Sequence, residues 1–104
     1  MICYSATFLA YSGREKEAMK ILRDHVQHAK KEPGVLMTRV YRSRTEPRRF
    51  FIYHELADEA ALEAHLASQH YTEHILTYLY GLFEPESLVR DTYNSLTPSE
   101  AHIP

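Results

Sequence analysis

The sequence predicts one α+β domain of the ferredoxin-like kind, in the order β-α-β-β-α-β, with an antiparallel sheet and helices on one face. Three observations carry this. Apolar periodicity alternates between the two-residue repeat of a strand and the 3.6-residue repeat of a helix in that order. Pro33-Gly34 and the polar stretch Thr45 to Arg48 fall where a helix must stop and a hairpin must turn. No repeat, low-complexity run or linker divides the 104 residues, so residues 1–96 read as the domain and 97–104 as a tail.

The first strand is expected over Ile2 to Tyr11, where Ile2, Tyr4, Ala6 and Phe8 alternate with Cys3, Ser5, Thr7 and Leu9. Neither set is strongly polar, which implies that both faces meet protein. From Arg14 to about Lys31 the residues Ala18, Leu22, His25 and Ala29 recur at helical spacing, and Lys30 and Lys31 suit a helix C-terminus. Val35 to Arg44 and Arg49 to Leu56 read as two strands of an antiparallel hairpin. Asp58 is placed to cap a helix running through Ala61, Leu62, His65 and Leu66 to Ser68. A second helical segment is expected from Tyr71 to Leu82 and a fourth strand from Glu86 to Leu96.

Twelve basic against fourteen acidic residues, with a pI near 6.4, give no basic field of the kind nucleic acid or an anionic membrane needs. A small molecule and a second copy of the chain are the expected partners. A domain of this size buries only about two thirds of its unfolded surface, which favours a homodimer. The single cysteine, Cys3, permits neither an intrachain disulfide nor a thiolate cluster and reads as core. No stretch has the length of a membrane span, and MICYSATF lacks the pattern of a secretion signal, so a cytoplasmic location is expected.

The stretch RRFFIYHELADEAALEAHLASQHYTEH, Arg49 to His74, concentrates the candidate chemistry. The Glu32-Pro33-Gly34 break, the strand RFFIYHEL and the helix ALEAHLASQHY together resemble the antibiotic biosynthesis monooxygenase domain, with its small quinol monooxygenases and a related isomerase of a phosphorylated autoinducer. The resemblance covers about residues 2–96 and is most specific at Leu62 to His70. It implies a dimer whose sheets pack face to face, with a pocket in each subunit between sheet and helices. Where many members follow the glutamate of the third strand with tryptophan, this chain has Glu55 followed by Leu56. The residue set of the haem-degrading relatives is also not matched, so haem cleavage is not expected.

His65 shares a helix face with Ala61 and Leu62 and is the expected general base, because a neutral imidazole in a pocket can take a phenolic or enolic proton. The bland alternative is a buried histidine bonded to backbone. His25 and Tyr71 are the candidates to hydrogen-bond the resulting anion. Tyr4, Phe51, Tyr53 and Tyr78 are expected as pocket walls, with His70 and His74 beside them and Glu55 orienting a histidine or a helix N-terminus. His70, Glu73 and His74 also spell the H-x-x-E-H order of some zinc peptidases, but too little chain follows to supply the third ligand from a further helix, and no metal is expected.

No Gly-rich phosphate loop and no flavin or nicotinamide fingerprint is present. With that absence, the family resemblance implies a cofactor-independent monooxygenase using O2 on a small phenolic or quinol-type compound. The same residues would serve an isomerase of a small hydroxy-ketone, and a non-catalytic binding module for a small aromatic ligand is the rival from another class.

Overall fold

A computed structural model describes residues 1–68 and 79–97. Within them the chain forms β1 (Ile2–Leu9), α1 (Glu15–Ala29), β2 (Val35–Arg42), β3 (Arg49–Leu56), α2 (Glu59–Leu66) and β4 (Val89–Asn94), with 3-10 turns at Leu79–Leu82 and Pro85–Ser87. The strands form one sheet in the order β2-β3-β1-β4, every neighbouring pair antiparallel. This is the ferredoxin-like arrangement expected from the sequence. No helix among the described residues is long and apolar enough to cross a membrane.

Strand alternation divides the side chains cleanly. On the face covered by the helices lie Tyr4, Ala6 and Phe8 of β1 and Phe50, Ile52, His54 and Leu56 of β3, all buried. Ala18, Leu22, His25 and Ala29 of α1 are buried against this side of the sheet, as their spacing requires. Two apolar clusters result, one around Phe8, Leu22, Phe50 and Phe83 and one around Tyr4, Leu56 and Leu62. His54 stands on β3 between Ile52 of the first cluster and Leu56 of the second. Cys3, Phe51, Tyr53, Glu55 and Tyr93 occupy the opposite face.

Several boundaries differ from the sequence expectation, and two of the differences have a clear local reason. β1 stops at Leu9 rather than Tyr11 because the backbone N–H of Leu9 donates to Ser87 Oγ at 2.8 Å while its carbonyl accepts from Glu84. β4 starts at Val89 rather than Glu86 because Pro85 opens a 3-10 turn in which the Ser87 hydroxyl donates to the Glu84 carbonyl. The segment expected to be helical from Tyr71 ends as a 3-10 turn at Leu79–Leu82, and residues 71–78 lie outside the described residues. The hairpin arginines are tied into the fold: Arg42 donates to the Pro47 carbonyl, Arg48 to the Ala10 carbonyl and Arg49 to Glu46.

The turn after α1 sets the relation between the two helices. Gly34 adopts φ +84°, and a Cβ built on it would stand 2.6 Å from Ala61 Cβ. Its carbonyl accepts from Ala57 at 2.8 Å, at the entrance to α2. Asp58 caps α2 by accepting from the Ala61 N–H, as expected. Gly34→Ala is expected to destabilise the fold by about 2–4 kcal/mol, since it combines a left-handed backbone with a steric overlap that the turn or α2 must shift to relieve. Urea denaturation checks this, and a loss within about 0.5 kcal/mol would show that α2 does not depend on the close approach.

Candidate functional site

Three elements each deliver one histidine to the same buried place. His25 comes from the inner face of α1, His54 from the helix-covered face of β3 and His65 from α2, and each is about 1% exposed. Their ring centroids lie 5.3 Å (His25–His54), 5.3 Å (His25–His65) and 4.6 Å (His54–His65) apart. Tyr4 stacks on His54 at 5.8 Å and lines the same side of the sheet.

The outer partners orient the rings. His65 Nδ1 lies 2.6 Å from Glu32 Oε2. An ionised carboxylate only accepts, so this nitrogen carries the proton and donates, and the tautomer follows from the partner. Thr38 Oγ1 meets His54 Nδ1 at 2.9 Å, a contact made possible by the register that sets Thr38 opposite His54. His25 Nε2 and His54 Nε2 are 3.4 Å apart. Burial, and then the electrostatic influence of the neighbouring His65, push the His54 pKa down to about 3, so this ring is neutral at physiological pH.

Of the residues expected in the site, the structure brings together His65, His25 and Tyr4. Phe51, Tyr53 and Glu55 do not join them. As odd-numbered members of β3 they point to the opposite face of the sheet, because a strand sends successive side chains to opposite sides. There Tyr53 donates to Glu55 at 2.9 Å and contacts Cys3 Sγ at 3.3 Å. The bond to the sulfur, burial and the Glu55 carboxylate hold its phenol above the usual tyrosine range. Glu32, and not Glu55, is thus the carboxylate found on His65. Tyr71, Tyr78, His70 and His74, with the H-x-x-E-H pattern, lie outside the described residues.

The reading from sequence missed His54, Thr38 and the role of Glu32. The signal for His54 was present: it alternates with Phe50, Ile52 and Leu56 on an apolar strand face, where a polar residue demands a partner. Thr38 and Glu32 carried no such signal.

Fold and site together define a small ferredoxin-like domain with a buried, carboxylate-backed histidine cluster between sheet and helices. The sequence profile of the antibiotic biosynthesis monooxygenase family matches residues 1–75, and the chain belongs to that family. Among solved structures it is similar to a protein from Shewanella oneidensis at 26% identity, with a TM-score of 0.82 over 88% of this chain and 87% of that one. A Nitrosomonas europaea protein provisionally described as an antibiotic biosynthesis monooxygenase shares 19% identity, with a TM-score of 0.84 over 93% of this chain and all of that one. A Mycobacterium tuberculosis protein matches at 16% identity and a TM-score of 0.84, covering 95% and 98% of the two chains. The last two likenesses concern the fold alone. No curated protein matches the chain.

Proposed function

We propose that the chain is a monooxygenase acting on a small phenolic or quinol-type compound, with the substrate itself supplying the electrons. The observation that carries this is the Glu32–His65 pair, 2.6 Å apart and placed beside an apolar wall. Glu32 holds Nδ1–H, so Nε2 presents the lone pair of a general base, and the carboxylate stabilises the imidazolium that forms when it takes a proton. Deprotonating a hydroquinone hydroxyl raises the ring's electron density until it can reduce O2. One oxygen atom then enters the ring, the other leaves as water, and all four electrons come from the substrate, which ends as a hydroxyquinone. His25 is close enough to His65 to hydrogen-bond the anion, and Tyr4 supplies an aromatic wall. Membership of the family supports the reaction class, and the choice of substrate rests on the base and the aromatic lining.

Oxygen uptake across a panel of dihydroxy-aromatics tests this. Consumption of about one O2 per substrate, with a product heavier by one oxygen atom and lighter by two hydrogens, is expected for at least one compound. Hits that bind but are recovered unchanged after long aerobic incubation would instead make the domain a binding module.

The assembly proposed with this function is a homodimer through the open face of the sheet. Tyr41, Phe51, Val89 and Tyr93 project there and are between 38% and 61% exposed in the single chain, an apolar surface unusual for a stable monomer. Light scattering at micromolar concentration is expected to give twice the 12.2 kDa chain mass. A monodisperse monomer would remove this assembly.

A further inference from the structure

We propose that His25, His54 and His65 form a three-nitrogen site for a divalent transition-metal ion of the Zn2+ or Co2+ type. One ring nitrogen from each residue falls within 4.8 Å of the other two, and all three residues are buried. One nitrogen pair and the spacing of the rings match the geometry around an ion. Two imidazole nitrogens at about 2.05 Å from a tetrahedral ion stand about 3.3 Å apart, and the ring centres behind them about 5 Å apart. Here His25 Nε2 and His54 Nε2 are separated by 3.4 Å, and the three centroid distances run from 4.6 to 5.3 Å.

The second layer is also that of a metal site. Ligating imidazoles commonly give their other nitrogen to a carboxylate or a polar group, which fixes the tautomer and raises the basicity of the ligand. His65 has Glu32 in that place and His54 has Thr38, so the Nε2 atom of each is directed away from its anchor. Neutral nitrogen donors without thiolate select zinc, cobalt, nickel or copper over calcium or magnesium, which require oxygen. Three protein ligands leave a fourth position for water or a small anion. This goes beyond the reaction proposed above and does not depend on it. An ion on the cluster takes the His65 lone pair that the base would use, so metal-loaded and base-competent protein are exclusive forms of one site.

The test is direct binding to chelator-stripped protein. Titration with Co2+ is expected to give the visible bands of a four- or five-coordinate ion, saturating at about one equivalent, and X-ray absorption of the Zn2+ form to show about three imidazoles. His54→Ala is expected to weaken binding at least about 100-fold, and Thr38→Val about 10- to 100-fold through loss of the outer contact. His28→Ala is the control and should leave binding unchanged. Should the single-histidine variants fail to fold, the imidazole count on wild-type protein and the milder Thr38→Val still decide the matter. Absence of stoichiometric binding overturns the proposal. So does binding abolished by His70→Ala with His74→Ala yet unaffected by Thr38→Val, which would put the ion on the H-x-x-E-H stretch. Neither outcome bears on oxygen uptake by metal-free protein, so the two proposals fail separately.

Discussion

Replacing His65 with alanine is expected to lower turnover of an oxidised dihydroxy-aromatic by about 10²- to 10⁴-fold, the range that a positioned general base contributes. The loss should fall on kcat more than on KM, because the imidazole acts on a proton in flight while aromatic surface supplies binding. Glu32→Gln separates positioning from base chemistry. The amide keeps the shape of the side chain but removes the charge that stabilises the imidazolium, and it can donate to Nδ1 as readily as it accepts. A loss of about 10- to 100-fold is expected, with partial recovery in Glu32→Asp. Rates are measured as oxygen uptake on metal-free protein with one substrate that the wild type consumes. Wild-type turnover by the His65 variant would show that another group removes the proton, and the site would have to be placed elsewhere.

Stability is expected to fall steeply with acid in the metal-free protein. The folded-state pKa of His54 is about 3, below the value of about 6.5 expected in the unfolded chain. Between these values the unfolded chain binds a proton that the folded protein refuses, so stability rises with pH across the window at up to about 1.4 kcal/mol per pH unit. The contribution is complete above about pH 6.5, declines as pH falls toward 3, and is exhausted below that value, where both states are protonated. Between about pH 7.5 and 4.5 this amounts to about 2–3 kcal/mol. Urea denaturation with chelator present, comparing wild type with His54→Leu, isolates it. The variant should lose less stability over that interval, and parallel pH dependences would show that His54 accepts its proton within the fold.

Much of the fold was legible because it depends on short-range rules. The i, i+4, i+7 and i+11 spacing of Ala18, Leu22, His25 and Ala29 dictates which face of α1 is buried, and the structure buries it. Pro33-Gly34 marks the end of the first helix, and alternation defines the two faces of every strand. The same alternation contained the correction to the site. Counting by two from Phe50 reaches His54 and passes over Phe51, Tyr53 and Glu55, which aromatic character and nearness in sequence had drawn into the pocket.

What the sequence by itself determined about this protein is therefore the order of its elements, its family resemblance, and the inward direction of His25 and His65. Each follows from periodicity or from a local motif. Only the tertiary structure decided who meets whom. Glu32 and His65 are 33 residues apart, and nothing local to either announces the other. They meet because Gly34 lets the turn after α1 press against Ala61 of α2, a contact that any larger side chain would block. Thr38 reaches His54 through the pairing register of β2 with β3, and the third ring arrives when α1 docks on the sheet. A cluster assembled from one residue of each of three elements has no signature in any one of them, since its geometry comes from packing and not from spacing along the chain.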